Sequence, residues 1–344
     1  MSILFSVPSE HELKSASSVL HHTLRNLVTD IQKDRAFLGV VFFWTLAAAC
    51  FARDVFDNMP QAIVRDFVEK CWRGNGFLPA PVSTHGVELL VSRERPPSMY
   101  STFYGSQILE MLASPIGAKR WKAVAEYVLA QQQPSGWFYD PKWADTALPL
   151  KMESELFYET YFGVLLLKEA NLVSNVRAKV SDAVRSHLRE GVRCVSSLYF
   201  GIATLLELGE LGEEECHIVS GFLGRHISAS GVGVHDYLME TVKVDEVAGQ
   251  VQRYQFDQFE PSMVASYRAL ELVSRLRVRG YKSEVIQEVA RAACRFLRTK
   301  TAVEDAGTPI RIAAYDRALG PVTSATELIM WLCKDALMKT VGET

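Results

Sequence analysis

Residues 119–138 read KRWKAVAEYVLAQQQPSGWF, and this stretch decides how the chain folds. The part up to residue 133 has apolar positions three or four apart, which is typical of a helix with one buried face. It ends at the turn SGWF, where glycine can terminate a helix in the left-handed conformation. A more apolar segment, 153–170, follows after a loop. The sequence therefore predicts an α-helical hairpin here.

The same unit recurs along the chain. An amphipathic helix, a turn or loop and a more apolar helix follow one another repeatedly, which is typical of a repeat architecture. The predicted pairs are 11–32 with 36–52, 60–73 with 100–113, 119–133 with 153–170, 175–190 with 194–208, 213–227 with 261–276, and 283–299 with 322–337. Gly74, Gly76, Gly136, Gly191 and Gly231 stand just past the helical patterns, where a left-handed cap favours glycine.

The two helices of a pair differ in polarity. In the first helix, as in 60–73, apolar residues line one side and charged residues line another. The second helix, as in 194–208, is apolar on most sides. Helices with one polar, solvent-exposed face belong outside, and helices that are apolar on all sides belong inside. We therefore predict one all-α domain over 1–344, an α/α toroid whose hairpins form an inner and an outer ring around a central cavity.

The composition excludes some classes of function. Of the 344 residues, 48% are hydrophobic and 22% are charged, so the chain can bury a sizeable core. The formal net charge is −3 and the pI is near 6.3, which disfavours a nucleic-acid partner because such proteins normally carry a basic face. The six cysteines include no CxxC pair, which is typical of reduced thiols in a cytoplasmic protein.

Two segments of the sequence bear on where the protein is located in the cell. The N-terminal sequence MSILFSVPSEHELK lacks the basic and apolar regions of a secretory signal. The stretch 36–52 is apolar but only 17 residues long, at the lower limit for spanning a bilayer, and mixed charges flank it. We predict that this stretch is a buried central helix, that the chain has no transmembrane segment, and that the protein is cytoplasmic.

Three motifs resemble one known family. QQQPSGWF (131–138) resembles the Gln/Gly/aromatic repeat of squalene and terpene cyclases and of protein prenyltransferase β subunits. GNGF (74–77) with SMYSTFYGSQILEML (98–112) is similar to the prenyltransferase pattern of a glycine-aromatic turn and a Tyr-Ser/Thr inner helix. MESELFYETYFGVLLLKEANL (152–172) looks like the next inner helix. The resemblance implies the toroid and covers about 60–172, but these are packing motifs and do not specify the chemistry.

The signatures of that family's chemistry are mostly missing. Class II cyclases carry a DxDDTA acid, and the closest string here, KWADTA (142–147), keeps only Asp145 of the three aspartates. No two aspartates are adjacent, as a DDxxD site for Mg²⁺ requires. No cysteine has an aspartate two residues before it, as in the zinc-dependent prenyltransferases. Zinc is therefore disfavoured, and Mg²⁺ is left open as a cofactor.

Basic residues precede several predicted inner helices. Helix N-termini carry partial positive charge and favour anions, so cations beside them would suit a diphosphate. Arg253, Arg311 and Arg317 are the candidates for holding such a head group. Arg93, Arg95 and Lys151 occupy equivalent places in other pairs. Solvated loop side chains are the simpler alternative for each of them.

Four carboxylates are candidate acids or bases, because a carboxyl group in an apolar pocket has a raised pKa. They are Asp145, Glu153, Glu155 and Asp257. As the alternative, Glu153 and Glu155 would only stabilise the first turn of their inner helix.

Aromatic faces stabilise carbocations, so the aromatic rings predicted near these carboxylates, at the mouth of the cavity, are candidate substrate contacts. Together with one histidine of the 229–260 loop they are Tyr100, Tyr158, Tyr161 and His235. Ordinary inner-ring core is the alternative explanation for the tyrosines.

Three hypotheses for function follow. The first is an isoprenoid-metabolism enzyme, terpene cyclase-like or prenyltransferase-like, that binds a prenyl diphosphate or another hydrophobic small molecule. The second is a carbohydrate-active toroid, a lyase or glycosidase, with Trp137, Tyr139 and Trp143 for sugar stacking. The third is a non-catalytic toroid that binds a lipid or a partner protein. A homodimer or a complex with a helical partner subunit is compatible with the resemblance.

Overall fold

The computed structural model describes residues 27–33, 36–51, 56–81, 97–139, 149–238 and 261–301. The regular elements of these residues are helices, and the only β-type pairings among them are isolated bridges. The prediction of an all-α protein is therefore confirmed for this part of the chain. No helix within it is both long and apolar enough to cross a membrane.

The helices agree with the predicted pairs to within a few residues at most ends. In chain order they are α1 (Leu38–Phe51), α2 (Gln61–Cys71), α3 (Met99–Met111), α4 (Ala118–Ala130), α5 (Pro149–Glu169), α6 (Arg177–Glu190), α7 (Val195–Leu208), α8 (Glu213–Arg225), α9 (Met263–Val278) and α10 (Glu284–Thr301), with a 3₁₀ turn at Val173–Asn175. Most of the predicted helix 11–32 and all of 322–337 lie outside the described residues, although 27–32 is helical.

The start of α5 differs from the prediction. The helix begins at Pro149, four residues before Glu153, because proline is well suited to the first position of a helix, where no N–H is needed. Lys151, Glu153 and Glu155 therefore lie inside α5 rather than before it or at its first residues. The interpretation of Glu153 and Glu155 as stabilisers of the first turn of their own helix is wrong.

The described residues fall into two compact units, one up to Tyr127 and one from Val128 onward. In the first unit, α1 and α2 both pack against α3. In the second unit, α5, α7 and α9 pack side by side in one layer, while α6, α8 and α10 form a second layer. Helices adjacent in sequence, such as α6 with α7 and α9 with α10, connect these two layers.

Helix polarity explains the two layers of the second unit. Helix α6 buries Val180, Val184 and Leu188, which are spaced four residues apart, and exposes Arg177 and Lys179. Burying each such aliphatic side chain stabilises the fold by roughly 1.5–3 kcal/mol. Nearly every residue of α7 is buried, so this helix is apolar on all sides. The amphipathic and the more apolar helix of this hairpin are thus distinguished as the sequence predicts.

The turns that precede α3, α5 and α9 share one hydrogen bond. The backbone N–H of Phe77 donates to Thr102 Oγ1 (3.1 Å), that of Phe138 to Thr160 Oγ1 (3.1 Å), and that of Val234 to Ser266 Oγ (3.1 Å). Each bond satisfies a buried N–H, which would otherwise carry a desolvation cost. A hydroxyl on the following helix therefore holds each turn in place.

Two turn glycines are needed for different reasons. Gly136 has φ of +100°, and a Cβ built there would lie 2.4 Å from the carbonyl oxygen of Lys179. Gly76 is not in the left-handed region, so the cap predicted for it is wrong. A Cβ at Gly76 would instead lie 2.6 Å from Thr102 Oγ1, the acceptor of the turn bond. Glycine stands there because the turn approaches α3 closely.

Candidate functional site

Aromatic side chains gather on the layer formed by α5, α7 and α9, which the sequence predicts to be the inner layer. Helix α5 contributes Tyr158, Tyr161 and Phe162, and α7 contributes Tyr199 and Phe200; we call these five residues the aromatic cluster. The ring centroid of Phe200 lies 4.7 Å from that of Tyr158 and 5.7 Å from that of Tyr161. The Tyr158 and Phe162 rings meet edge to face at 4.7 Å. Such geometry is favourable because ring edges are positive and ring faces negative.

Helix α9 adds charged groups beside these rings. Arg268, Glu271 and Arg275 are spaced three and four residues apart, which places them on one face of the helix. We call these three residues the ionic row. The Arg268 guanidinium lies 4.9 Å from the ring centroid of Phe200 and 5.9 Å from that of Tyr199. Both distances are within the range of cation–π attraction.

The carboxylate of Glu271 is 6% exposed and fully engaged. It accepts a hydrogen bond from the Tyr199 hydroxyl (2.8 Å) and two from Arg275, at 2.6 Å from Nη2 and 3.0 Å from Nε. Arg275 Nη1 lies 3.8 Å from a carboxylate oxygen of Glu207 on α7. A buried carboxylate is tolerated only when it is paired in this way, so Arg275 and Tyr199 compensate the burial of Glu271.

Burial sets the protonation of the tyrosines. It raises the pKa of Tyr161 to about 12, and together with the charge of Glu271 it raises the pKa of Tyr199 well above the usual value of 10.0. Both hydroxyls are therefore neutral at physiological pH. Burial opposes the charge of Arg275, but Tyr199 and Glu271 outweigh this effect and its pKa is raised. The neutral tyrosines of the aromatic cluster thus lie beside a permanent cation of the ionic row.

A second polar chain starts at Arg268. Its Nη1 donates to Ser196 Oγ, and the Ser196 hydroxyl in turn donates to the Asp236 carboxylate at 3.1 Å. The Ser196 backbone N–H also donates to Asp236 Oδ1 (3.0 Å). Burial raises the pKa of Asp236, although Arg268 and Ser196 oppose this shift. A raised carboxyl pKa is the property expected of a general acid.

Glu153, a predicted acid or base, has the opposite environment. Its Oε1 accepts the Arg193 backbone N–H (3.0 Å), and its Oε2 lies 3.8 Å from His187 Nε2. Burial alone would raise the pKa of Glu153, but the hydrogen bonds from His187 and Arg193 outweigh it and the pKa is lowered. Glu153 therefore stays ionised and secures the chain just before α7.

The remaining predicted site residues are dispersed. Glu155 is half-buried in α5, and Tyr100 belongs to α3 of the first unit, where its ring centroid lies 6.1 Å from that of Tyr104. His235 is half-buried in the turn before α9, and its backbone N–H donates to the His226 carbonyl (2.9 Å). Tyr158 and Tyr161 are thus the predicted residues that the structure brings together. Asp145, Asp257, Arg253, Arg311 and Arg317, with Arg93 and Arg95, lie outside the described residues.

The tryptophan invoked for sugar stacking is a core residue. Trp137 is 8% exposed, and its ring packs against Phe157 at 4.8 Å and His187 at 5.8 Å. Little of the ring is available to a sugar.

Sequence patterns did not single out the ionic row, although one signal was present. Three charges at spacing i, i+3 and i+7 interrupt an otherwise apolar inner-helix pattern over 263–276. Charges on the apolar face of a buried helix are rare unless they are paired or functional.

No protein-family model matches the chain, and no curated protein is significantly similar to it. Across the described residues, no group of three or more His, Cys, Asp or Glu side chains could hold a metal ion. Any functional assignment therefore depends on the geometry of the aromatic cluster and the ionic row.

Proposed function

We propose that the protein is an α/α toroid of isoprenoid metabolism, terpene cyclase-like or prenyltransferase-like, which binds a prenyl diphosphate or a prenylated intermediate against the aromatic cluster. One observation carries the proposal. The five rings of the aromatic cluster pack together on the adjacent helices α5 and α7, and two of them, those of Tyr199 and Phe200, lie beside the guanidinium of Arg268.

The two-layer packing of the second unit supports the toroid. Successive inner helices contact each other, successive outer helices do the same, and each layer keeps its own polarity. Repetition of this arrangement along the remaining hairpins would close a ring, which is the architecture that the sequence motifs resemble.

The chemistry of the cluster suits an isoprenoid. Prenyl chains are apolar and pass through carbocations, which aromatic faces stabilise and which need a site shielded from water. A guanidinium beside the rings would hold an anionic head group, because its planar donors match phosphate oxygens. In this proposal Arg268 binds the head group, and the carboxyl group of Asp236 supplies the proton of a cyclase. Asp145, Glu155 and Asp257 remain alternative proton donors or acceptors.

The test is binding and turnover of prenyl diphosphates. The protein is titrated with farnesyl and geranylgeranyl diphosphate, with and without Mg²⁺, and products are extracted and identified. Arg268→Gln should weaken binding at least about tenfold, since a charge-assisted hydrogen bond contributes about 1.5–3 kcal/mol. Arg189→Gln is the matched control, because Arg189 forms an exposed pair with Glu214 on the outer layer. If wild type binds neither compound, the proposal is wrong.

A non-catalytic binding toroid is the second candidate. It is favoured because the buried carboxyl groups near the aromatic cluster already have hydrogen-bond partners. Glu271 is occupied by Arg275 and Tyr199, and Asp236 is occupied by Ser196. Asp236→Asn separates the two candidates. If the wild type turns over the substrate and this variant binds it without turnover, Asp236 is a catalytic acid. If the wild type itself binds the substrate without turnover, the protein is a carrier.

A further inference from the structure

The corner between α9 and α10 combines an exposed apolar side chain with basic residues. It reads RVRGYK over 277–282, and we call this segment the basic corner. Val278 is 72% exposed, the most exposed large hydrophobic residue in the described part of the chain. A single exposed valine is ordinary on a protein surface. Its position between Arg277 and Arg279, both exposed, calls for an explanation.

The basic corner is held in one conformation. Gly280 has φ of +84°, and the Tyr281 N–H donates to the Leu276 carbonyl (3.1 Å), as in a helix C-terminal cap. The Tyr281 hydroxyl lies 3.2 Å from His217 Nδ1 on α8, and Ser283 Oγ lies 3.1 Å from Ser220 Oγ on the same helix. Because the segment is already ordered, docking it would cost little conformational entropy.

The charge of the basic corner is only partly explained by the helix that it ends. Arginines in the last turn of α9 are favourable beside the negative end of the helix dipole. Lys282 lies beyond the helix and adds a third cation. Segment 277–282 itself holds three cationic side chains and no acidic one, while Glu213, 3.7 Å from His217 on α8, and Glu284, at the start of α10, are carboxylates of the adjoining helices. The dipole does not explain why Val278 points into solvent.

We propose that the basic corner docks on an anionic lipid surface, with Val278 entering the interface and the three cations contacting lipid head groups. A lipid surface accepts a small apolar side chain without a complementary pocket, and each nearby Lys or Arg strengthens binding about fivefold. A protein partner would need an interface of about 800 Å² per side, which a segment of this size does not supply. This inference does not depend on the proposed isoprenoid function.

The test uses co-sedimentation of the full chain with vesicles. One set consists of phosphatidylcholine alone, and the other contains phosphatidylcholine with phosphatidylserine. The wild-type protein should sediment with the anionic vesicles and remain in solution with the neutral ones. Raising the salt concentration should release it, because screening weakens charge attraction.

Three variants assign the binding to the basic corner. Arg279→Glu with Lys282→Glu should weaken binding to anionic vesicles at least about 25-fold, since two cations are lost and two anions gained. Val278→Asp should also weaken it. Arg177→Glu with Lys179→Glu is the matched control, because both residues are exposed on α6, and it should bind as wild type does.

Several outcomes would overturn the proposal. They are absence of wild-type binding to anionic vesicles, equal loss of binding in the α6 control, and binding that is unaffected by both corner variants. Retention of the protein on immobilised polyglutamate but not on vesicles would assign the corner to an acidic protein instead. Thermal unfolding of each variant checks that the fold is retained.

Discussion

The two compact units bury different kinds of polar side chain. In the first unit, the described buried polar residues carry hydroxyl groups; they are Thr45, Ser98, Ser101, Thr102 and Ser106. In the second unit, they also include carboxyl and imidazole groups, which are those of Glu215, His226 and Glu271. Hydroxyls are inexpensive to bury when one hydrogen bond satisfies them, whereas a buried charge needs a counter-charge.

Aromatic clusters occur in both units, and their surroundings differ in the same way. In the first unit, the rings of Phe42 and Tyr104 stack at 4.7 Å between α1 and α3. In the second unit, Phe200 lies under the Arg268 guanidinium, and Tyr199 donates to Glu271. The first unit also places a ring beside a paired charge, since Arg120 lies 4.8 Å from the Trp72 ring and pairs with Glu69, but both partners of that pair are more than a third exposed. The Glu271 side chain is 6% exposed. The comparison teaches that rings beside a buried carboxylate pair, rather than ring packing or a surface cation, mark the candidate site.

The largest expected effect comes from removing one ring in each unit. Phe42→Ala and Phe200→Ala should each lower the free energy of unfolding by about 3–5 kcal/mol, because both side chains are buried and leave cavities. Urea unfolding followed by circular dichroism measures this loss. The comparison is sharpened by titration with geranylgeranyl diphosphate, in which Phe200→Ala alone should weaken binding. Equal weakening by Phe42→Ala would break the functional distinction between the clusters.

The next effect tests the buried carboxylate of the second unit. Glu271→Ala should lower the free energy of unfolding by about 3 kcal/mol, because Arg275 then lacks its main counter-charge. Glu214→Ala is the control; Glu214 forms an exposed pair with Arg189, so its loss should cost less than about 1 kcal/mol. Similar losses for both variants in urea unfolding would show that the buried pair contributes no more to stability than the exposed one.

Low pH should destabilise the second unit through the buried side chain of His226. This side chain is buried, and burial lowers its pKa from 6.5 to about 4, so the folded protein binds the proton more weakly than the unfolded chain. Its contribution to stability is complete above pH 6.5 and decreases by up to about 3 kcal/mol as the pH falls to about 4. Denaturation at a series of pH values measures the decrease, and His226→Gln should remove it.

Hydrogen exchange locates this acid effect within the chain. Between pH 6.5 and 4, backbone amides of α8, the helix that ends just before His226, should lose protection before those of α3 in the first unit. Earlier loss of protection in α3 would contradict the assignment of the acid-sensitive group to the second unit.

The smallest effect should be the same in both units. Thr102→Val and Thr160→Val each remove the acceptor of a buried turn N–H, that of Phe77 or that of Phe138. Each should lower the free energy of unfolding by about 1–2 kcal/mol. Thr204→Val is the control, since its hydroxyl only supplements a helical carbonyl and should matter less. A large difference between the two turn variants would show that the repeated turn does not serve both units alike.

The sequence predicted the helices well and the candidate site in part. The bounds of α6 and α7 differ from the predicted 175–190 and 194–208 by two residues or fewer, because apolar spacing reports a helix face directly. Tyr158 and Tyr161 were predicted as site residues and lie in the aromatic cluster. Glu271 and Asp236 were not chosen, since a carboxylate in a sequence does not reveal whether it is buried.

What the sequence determined by itself is the set of helices, their turns and the polarity of each face, because helical hydrogen bonds and face periodicity join residues only a few positions apart. What only the tertiary structure decided is which charged groups meet. Tyr199 and Glu271, like Ser196 and Arg268, are 72 positions apart. Their contact depends on α7 packing against α9, and the resulting burial gives the pair its electrostatic character.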